Sequence, residues 1–341
     1  MKKLLVIRFS AMGDVAMTVP VIHALATQHP ELRITVMTRG RFAPMFQWMP
    51  ANVEVKPVEL EKYSGIFGLG RLYSELKQKR YDAVADLHDV LRTKYLRLRF
   101  KMSGKKVAVI DKGRKEKKAL MGNGQTAEPL KPMFERYRDV FRQLGYDFAL
   151  EYKHAINPHT ENFSRINTSI GIKQQGDKWI GIAPFAAHEG KIYPLEQMKV
   201  VAENFAAKGC KVLLFGAGKK ESEILHSWQG ENITSTCGLL GGLYNEMLLM
   251  SRLDLMVAMD SANMHIASIV GTPALSVWGA THPKAGFLGW GQSDNNIVQL
   301  DIPCRPCSVY GNKPCQFGDY RCLKGITPDI IVEKGMKIIS E

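Results

Sequence analysis

The sequence predicts an α/β protein made of two parallel-sheet, Rossmann-like domains in tandem. Three observations lead there. Short apolar runs of strand type alternate with amphipathic helical stretches through both halves, the rhythm of strand–crossover–strand units. At 341 residues the chain is longer than one hydrophobic core usually serves. And each half contains a strand that runs through a small-residue loop into a helix, SAMGD at 10–14 and DSANMHIAS at 260–268. Such corners offer the free N–H groups of a helix start to an anion. Open α/β sheets bind ligands beyond the carboxyl ends of their strands, so two corners in two halves imply a cleft between domains.

The elements follow in order. Residues 3–9 (KLLVIRF) read as a buried strand and 14–28 as a helix. A strand follows at 33–38, a helical piece near 41–48, an alternating strand at 53–58, a helix at 72–79 and a buried strand at 81–87. Residues 107–110 give one more strand, and 133–144 a helix ended by Gly145. The rhythm then lapses over 156–177, which carry Asn157-Pro158 and the polar run HTENFSR, so this stretch is expected to link domain 1–155 to domain 178–325. The second domain restarts with strand 179–183, helix 195–208, strand 211–215, helices 219–228 and 245–251, strand 255–259, helix 261–270 and strand 274–278. Thr327-Pro328-Asp329 opens a last helix with an N-cap residue and Pro in its first turn. Neither half has GxGxxG after its first strand, which argues against a nicotinamide dehydrogenase.

The apolar run at the N-terminus stops after four residues at Arg8, short of a signal-peptide core, and no stretch approaches a membrane span. A cytoplasmic protein is expected. Its net charge of +13 is concentrated: twelve basic residues lie between Arg92 and Lys118, opposed only by Asp111 and Glu116. Such a patch calls for an anionic partner. With only Tyr95 and Phe100 as aromatics it lacks a base-stacking platform, so nucleic acid is disfavoured and an anionic membrane or glycolipid favoured.

Several motifs, in one order along most of the chain, resemble the bacterial lipopolysaccharide heptosyltransferase family, glycosyltransferase family 9 of GT-B architecture. They are the opening KLLVIRFSAMGDVAMTVPVIHAL, then YDAVADLHDVLRT, FERYRDVFRQLG, GKIYPLEQM, LLFGAGKKESE and DSANMHIASIVGTPALSVWGATHP. The resemblance implies an inverting, metal-independent transferase that moves a sugar, heptose from ADP-heptose, to a lipopolysaccharide-core-type glycolipid. The first domain would hold the acceptor, the second the donor, and helix 326–341 would pack back on the first domain. The enzyme would sit peripherally on the inner face of the cytoplasmic membrane. Two other classes fit the same scaffold: a nucleotide-sugar epimerase or hydrolase, and a non-catalytic anionic-glycolipid-binding protein.

Asp14 alone reads as a helix cap; the resemblance makes it the general base that deprotonates the acceptor hydroxyl. Gly13 lets the backbone approach a ligand, and Ser10 stands where it can hydrogen-bond nearby. Lys191 matches the family's donor-site lysine, and Glu221 its ribose-reading acid. The N–H groups of Ser261, Ala262, Asn263 and Met264 suit a diphosphate. Asp260 suits sugar hydroxyls better than phosphate, and Asp260 and Ser261 equally suit helix capping. His265 faces either site or core, and Thr281 is a further phosphate contact. Arg92, Lys94 and Arg136, with Arg138, are acceptor-side candidates. The chain departs from the family's pattern at Ala262, usually glycine, at Ala280 and His282 in the GATHP loop, and at Ala186 and Ala187. Cys304, Cys307, Cys315 and Cys322 form C-x2-C-x7-C-x6-C, open to a structural zinc, a disulfide or plain packing; catalysis calls for no cofactor.

Overall fold

The computed structural model describes residues 2–123, 127–154, 156 and 160–340. The chain divides into two units, one made of Met1–Lys112 and Met133–Ala155, the other of Gly113–Pro132 and Ile156–Glu341.

The first unit is built on a five-stranded parallel sheet. Its strands are β1 (Lys2–Ile7), β2 (Leu32–Arg39), β3 (Val53–Val58), β4 (Ala83–Asp86) and β5 (Lys106–Val109), in the order β3-β2-β1-β4-β5. Leu4 to Ile7 are wholly buried because helices cover both faces of a central parallel strand, so hydrophobicity there is continuous and not alternating. Pro57, which cannot donate to a ladder, sits on the edge strand β3. A core under one face gathers Leu5, Ile7, Leu72, Leu76, Val84, Leu96 and Phe100.

The second unit carries β6 (Trp179–Ala183), β7 (Lys211–Leu214), β8 (Ile233–Ser235), β9 (Leu255–Met259), β10 (Ala274–Val277) and β11 (Ile297–Val298). All pair in parallel, in the order β11-β10-β9-β6-β7-β8. In each sheet the strand order reverses between two central neighbours, β1 and β4 in the first, β6 and β9 in the second. The crossovers leave the sheet in opposite directions there, which opens a crevice at the strand ends. Both candidate corners begin at such a point.

Four expectations need correction. The last helix, Pro328–Ile338, expected on the first domain, belongs to the second unit and packs there: Ile331 and Val332 are buried in the core of the six-stranded sheet with Phe205, Leu255 and Val257. Gly335 permits this approach, since a Cβ there would lie 2.6 Å from the Phe205 ring and 3.1 Å from Leu255. The first unit does not run unbroken to residue 155, because Gly113–Pro132 belongs to the second. There Leu130 N–H donates to the Lys284 carbonyl at 2.8 Å. The basic run is therefore divided, and Lys117 is buried with its ammonium 4.0 Å over the Phe287 ring. Finally, the stretch expected to be a linker belongs to the second unit and forms a helix, Ser164–Ser169; Arg165 Nε donates to the Leu239 carbonyl at 3.0 Å and Tyr244 to Glu161 at 2.6 Å. The Asn157-Pro158 break lies outside the described residues. Among the described residues no helix is long and apolar enough to cross a membrane.

Candidate active site

Beyond the end of β1 the chain turns through Arg8, Phe9 and Ser10 into a short helix, Met12–Ala16. Its N-cap is Ala11; Asp14 is the third residue of the first turn, and its Oδ2 accepts from the Ala11 N–H at 3.2 Å. Asp14 thus satisfies the helix start from inside, as the acid of a capping box does, and is not the N-cap. Arg8 fixes the carboxylate. Its guanidinium is buried, with Nη2 2.6 Å from Asp14 Oδ2 and Nη1 donating to the Leu87 carbonyl at the end of β4. The wholly buried Tyr137 donates to the Asp14 carbonyl at 3.4 Å. The Asp14 side chain is nonetheless 31% exposed.

The adjacent loop after β4 completes this corner. Asp86, fully buried, accepts the N–H groups of His88 and Asp89 on Oδ1 at 2.9 and 3.0 Å, and its Oδ2 is 3.1 Å from Arg97. The loop so held presents His88, which shares a hydrogen bond with Ser10 Oγ at 3.3 Å. Burial, helped by the charges of Arg8 and Lys112, pushes the His88 imidazole down to about 3. It is a neutral ring at any physiological pH.

The second unit's corner lies at the ends of β6, β9 and β10. Asp260 directly follows β9 and is buried; Lys191 Nζ and Thr281 Oγ1 each approach its Oδ2 at 2.8 Å. Ser261 is the N-cap of helix Ala262–Ile269, yet its side chain makes no capping bond, and its buried Oγ has no hydrogen-bond partner among the described residues. Ala262 and Asn263 are half-buried beside it, whereas Met264 and His265 turn into the protein. Of the capping roles open to Asp260 and Ser261, neither is made through a side chain: Asp260 instead binds the lysine and threonine.

Two glycines shape this corner. Gly311 has φ +77°, and a Cβ there would sit 2.6 Å from Lys191 Cγ, so only glycine lets the lysine stem pass. A Cβ at Gly190 would lie 2.9 Å from the Ala280 methyl. Buried Arg305 supports the GATHP loop by donating to the carbonyls of Gly279 and Thr281. Within that loop His282 accepts from the Lys284 N–H and is pushed down to about 4 by burial.

A sequence profile described as glycosyltransferase family 9 (heptosyltransferase) matches residues 69–317. The chain belongs to glycosyltransferase family 9. It is therefore a member of the heptosyltransferase family and of the transferase class. Lipooligosaccharide heptosyltransferase 2 of Haemophilus influenzae is 26% identical over 359 residues, covering 99% of each chain. Lipopolysaccharide heptosyltransferase 3 of Escherichia coli is 24% identical over 305 residues, covering 84% of this chain and 85% of that one. In fold, the structure of the E. coli ADP-heptose lipopolysaccharide heptosyltransferase II superposes with a TM-score of 0.72 at 22% identity, over 100% of this chain and 99% of that one.

In this family member Lys191, Asp260, Ser261 and Thr281 converge in one unit, and Ser10, Gly13 and Asp14 in the other. Glu221 lies in the first turn of helix Gly218–Ser227, its Oε2 accepting from the Ala217 N–H at 2.8 Å. Arg92 and Lys94 are exposed on helix Leu91–Met102, while Arg136 is buried, 3.8 Å from Asp111, and Arg138 pairs with Glu135. Arg8, His88, Tyr137, Arg305 and Gly311 were not anticipated. Arg8 had a visible signal, a charge closing an apolar strand, and so had His88, a polar ending to YDAVADL. All six cysteines are free thiols, which removes the disulfide reading. Among the described residues no three His, Cys, Asp or Glu side chains are arranged to hold a metal ion.

Proposed function

We propose that this protein transfers a heptose from ADP-heptose, with inversion, to an anionic lipopolysaccharide-core-type glycolipid. The observation that carries the reading is the convergence of Lys191 and Thr281 on buried Asp260 beside a helix start with an unpartnered Ser261 hydroxyl. A cation, two hydroxyls and the N–H groups of residues 261–264 together form an anion site that suits a diphosphate. Asp260 neutralises Lys191 while the site is empty and turns to sugar hydroxyls once phosphate engages the lysine. Glu221 addresses the ribose.

In the transfer step the acceptor oxygen attacks the anomeric carbon as its proton passes to Asp14. The bond from that carbon to the diphosphate breaks, and ADP leaves with the electron pair. Charge gathers on the leaving diphosphate, where Lys191 and the helix N–H groups are already oriented, so little reorganisation is needed. In the first unit Arg8 and the Ala11 N–H hold Asp14 in place through Oδ2. The acceptor's anionic groups meet Arg92 and Lys94, and the enzyme works as a peripheral protein at the inner membrane face.

The test is Asp14→Asn, which keeps shape and a hydrogen-bond acceptor but cannot take the proton. Transfer from ADP-heptose should fall by about 10²–10⁴-fold with the donor dissociation constant unchanged. Undiminished turnover would remove Asp14 from the mechanism.

A further inference from the structure

The exposed apolar residues of the first unit are not scattered. Among the described residues, every large hydrophobic side chain exposed there lies on two helices: Ile66 (71% exposed) and Phe67 (93%) at the start of Gly65–Gln78, and Leu91 (83%), Leu98 (57%) and Met102 (76%) on Leu91–Met102. The helices pack side by side and run the same way. A Cβ at Gly70 would meet Tyr95 Oη at 3.5 Å, and one turn on Tyr73 stacks edge-on against Phe100 at 5.1 Å with Arg99 4.8 Å over its ring. Their first turns, with Ile66, Phe67 and Leu91, therefore share one end, the carboxyl edge of the sheet from which the loops of Asp14 and His88 also rise.

Helix Leu91–Met102 has an unusual division of faces. Thr93, Leu96 and Phe100 point into the core. At 100° per residue, Leu91, Leu98 and Met102 (i, i+7, i+11) fall on the opposite side as one apolar ridge. Lys94 and Lys101 flank this ridge on one side, Arg92 and Arg99 on the other, and the helix contains no acidic residue. A ridge of large apolar side chains facing water is unfavourable unless something covers it. An apolar stripe between two basic rows matches the boundary of an anionic bilayer, where methylenes enter the acyl region and long cationic side chains reach back to the headgroups.

We infer that the Leu91–Met102 ridge, with Ile66 and Phe67 at its head, is a membrane-docking surface that inserts into bilayers containing anionic phospholipid. This rests on, and deepens, the reading of the protein as a peripheral glycolipid enzyme: attachment would come from apolar insertion as well as from charge. It would also bring the Asp14 corner to the plane in which a lipid-anchored acceptor lies.

The experiment is co-sedimentation of the full chain with vesicles of phosphatidylcholine, with and without phosphatidylglycerol, at low and high salt. The wild type should bind the anionic vesicles and bind less at high salt. Leu91→Ser, Leu98→Ser and Met102→Ser combined should lose at least about tenfold in affinity at unchanged net charge, with circular dichroism and melting temperature as fold controls. Lys94→Gln with Lys101→Gln should lose about fivefold per lysine. The inference is overturned if the wild type ignores anionic vesicles or if the triple serine variant binds as tightly. It is also overturned, in favour of a second copy of the chain, if the wild type forms a dimer without lipid that the serine variant cannot form. Vesicle binding needs neither donor nor turnover. The docking surface can therefore fail while transfer to detergent-solubilised acceptor persists, or stand while transfer fails.

Discussion

His88 shows at the scale of one residue how the fold sets chemistry. Its ring is buried against Phe9 and hydrogen-bonded to Ser10 near two cations, so the protonated form is disfavoured and the group is held down to about 3. Between that value and the ordinary histidine value near 6.5, the unfolded chain binds a proton that the folded one excludes. Folding stability from this group is fully present above the unfolded value and drains away as pH falls, with a slope approaching ~1.4 kcal/mol per pH unit for one proton. His282, held to about 4, acts in the same direction. His88→Asn should therefore make the decline of the urea midpoint between neutral and acidic pH shallower. A decline as steep as in the wild type would show that His88 is not the group responsible. Arg8 acts differently: it touches Asp14 and the end of β4 at once, so it positions the carboxylate and joins the two loops of the crevice.

At the scale of elements, the terminal helix is the clearest test of packing against propensity. Gly335 lies in the middle of Pro328–Ile338, where alanine is favoured by about 1 kcal/mol on helix propensity alone. Yet its missing Cβ makes room for the Phe205 ring and Leu255. Gly335→Ala should thus lower stability, by about 1–3 kcal/mol as overpacked cores do, read as a fall in melting temperature. A rise would mean that the helix is not seated as described. The basic helix Leu91–Met102 teaches a related lesson. Its buried Thr93, Leu96 and Phe100 carry a helical period, but the leucines and methionine of the outer face break the usual apolar-in, polar-out pattern. Read as sequence, the stretch shows its charge and hides its periodicity.

For the whole molecule, the donor reading predicts a ligand-linked stabilisation. ADP at about a hundred times its dissociation constant should stabilise the folded protein by about 2.7 kcal/mol, seen as a raised melting temperature. Lys191→Ala should weaken that response, because it removes the cation from the anion site and leaves Asp260 buried with Thr281 alone on its Oδ2. A panel of nucleotides in which ADP shifts the melting temperature no more than UDP or GDP would refute the adenine assignment.

The sequence by itself determined the two parallel sheets, the strands that compose their centres, and the corners at Asp14 and Asp260. These are local or periodic properties: continuous apolar runs specify buried parallel strands, and small residues before a helix specify an anion-ready turn. Several matters were left for the tertiary structure. It seated the terminal helix on its own unit, sent Gly113–Pro132 to the second unit, and buried Arg8, His88 and Arg305 where they support the loops. It brought Lys191 and Thr281 to one carboxylate across separations that no spacing rule links. Periodicity is written along the chain, but which apolar face meets which partner, and which charge is buried beside which, depends on long-range packing that one strand of sequence does not encode residue by residue.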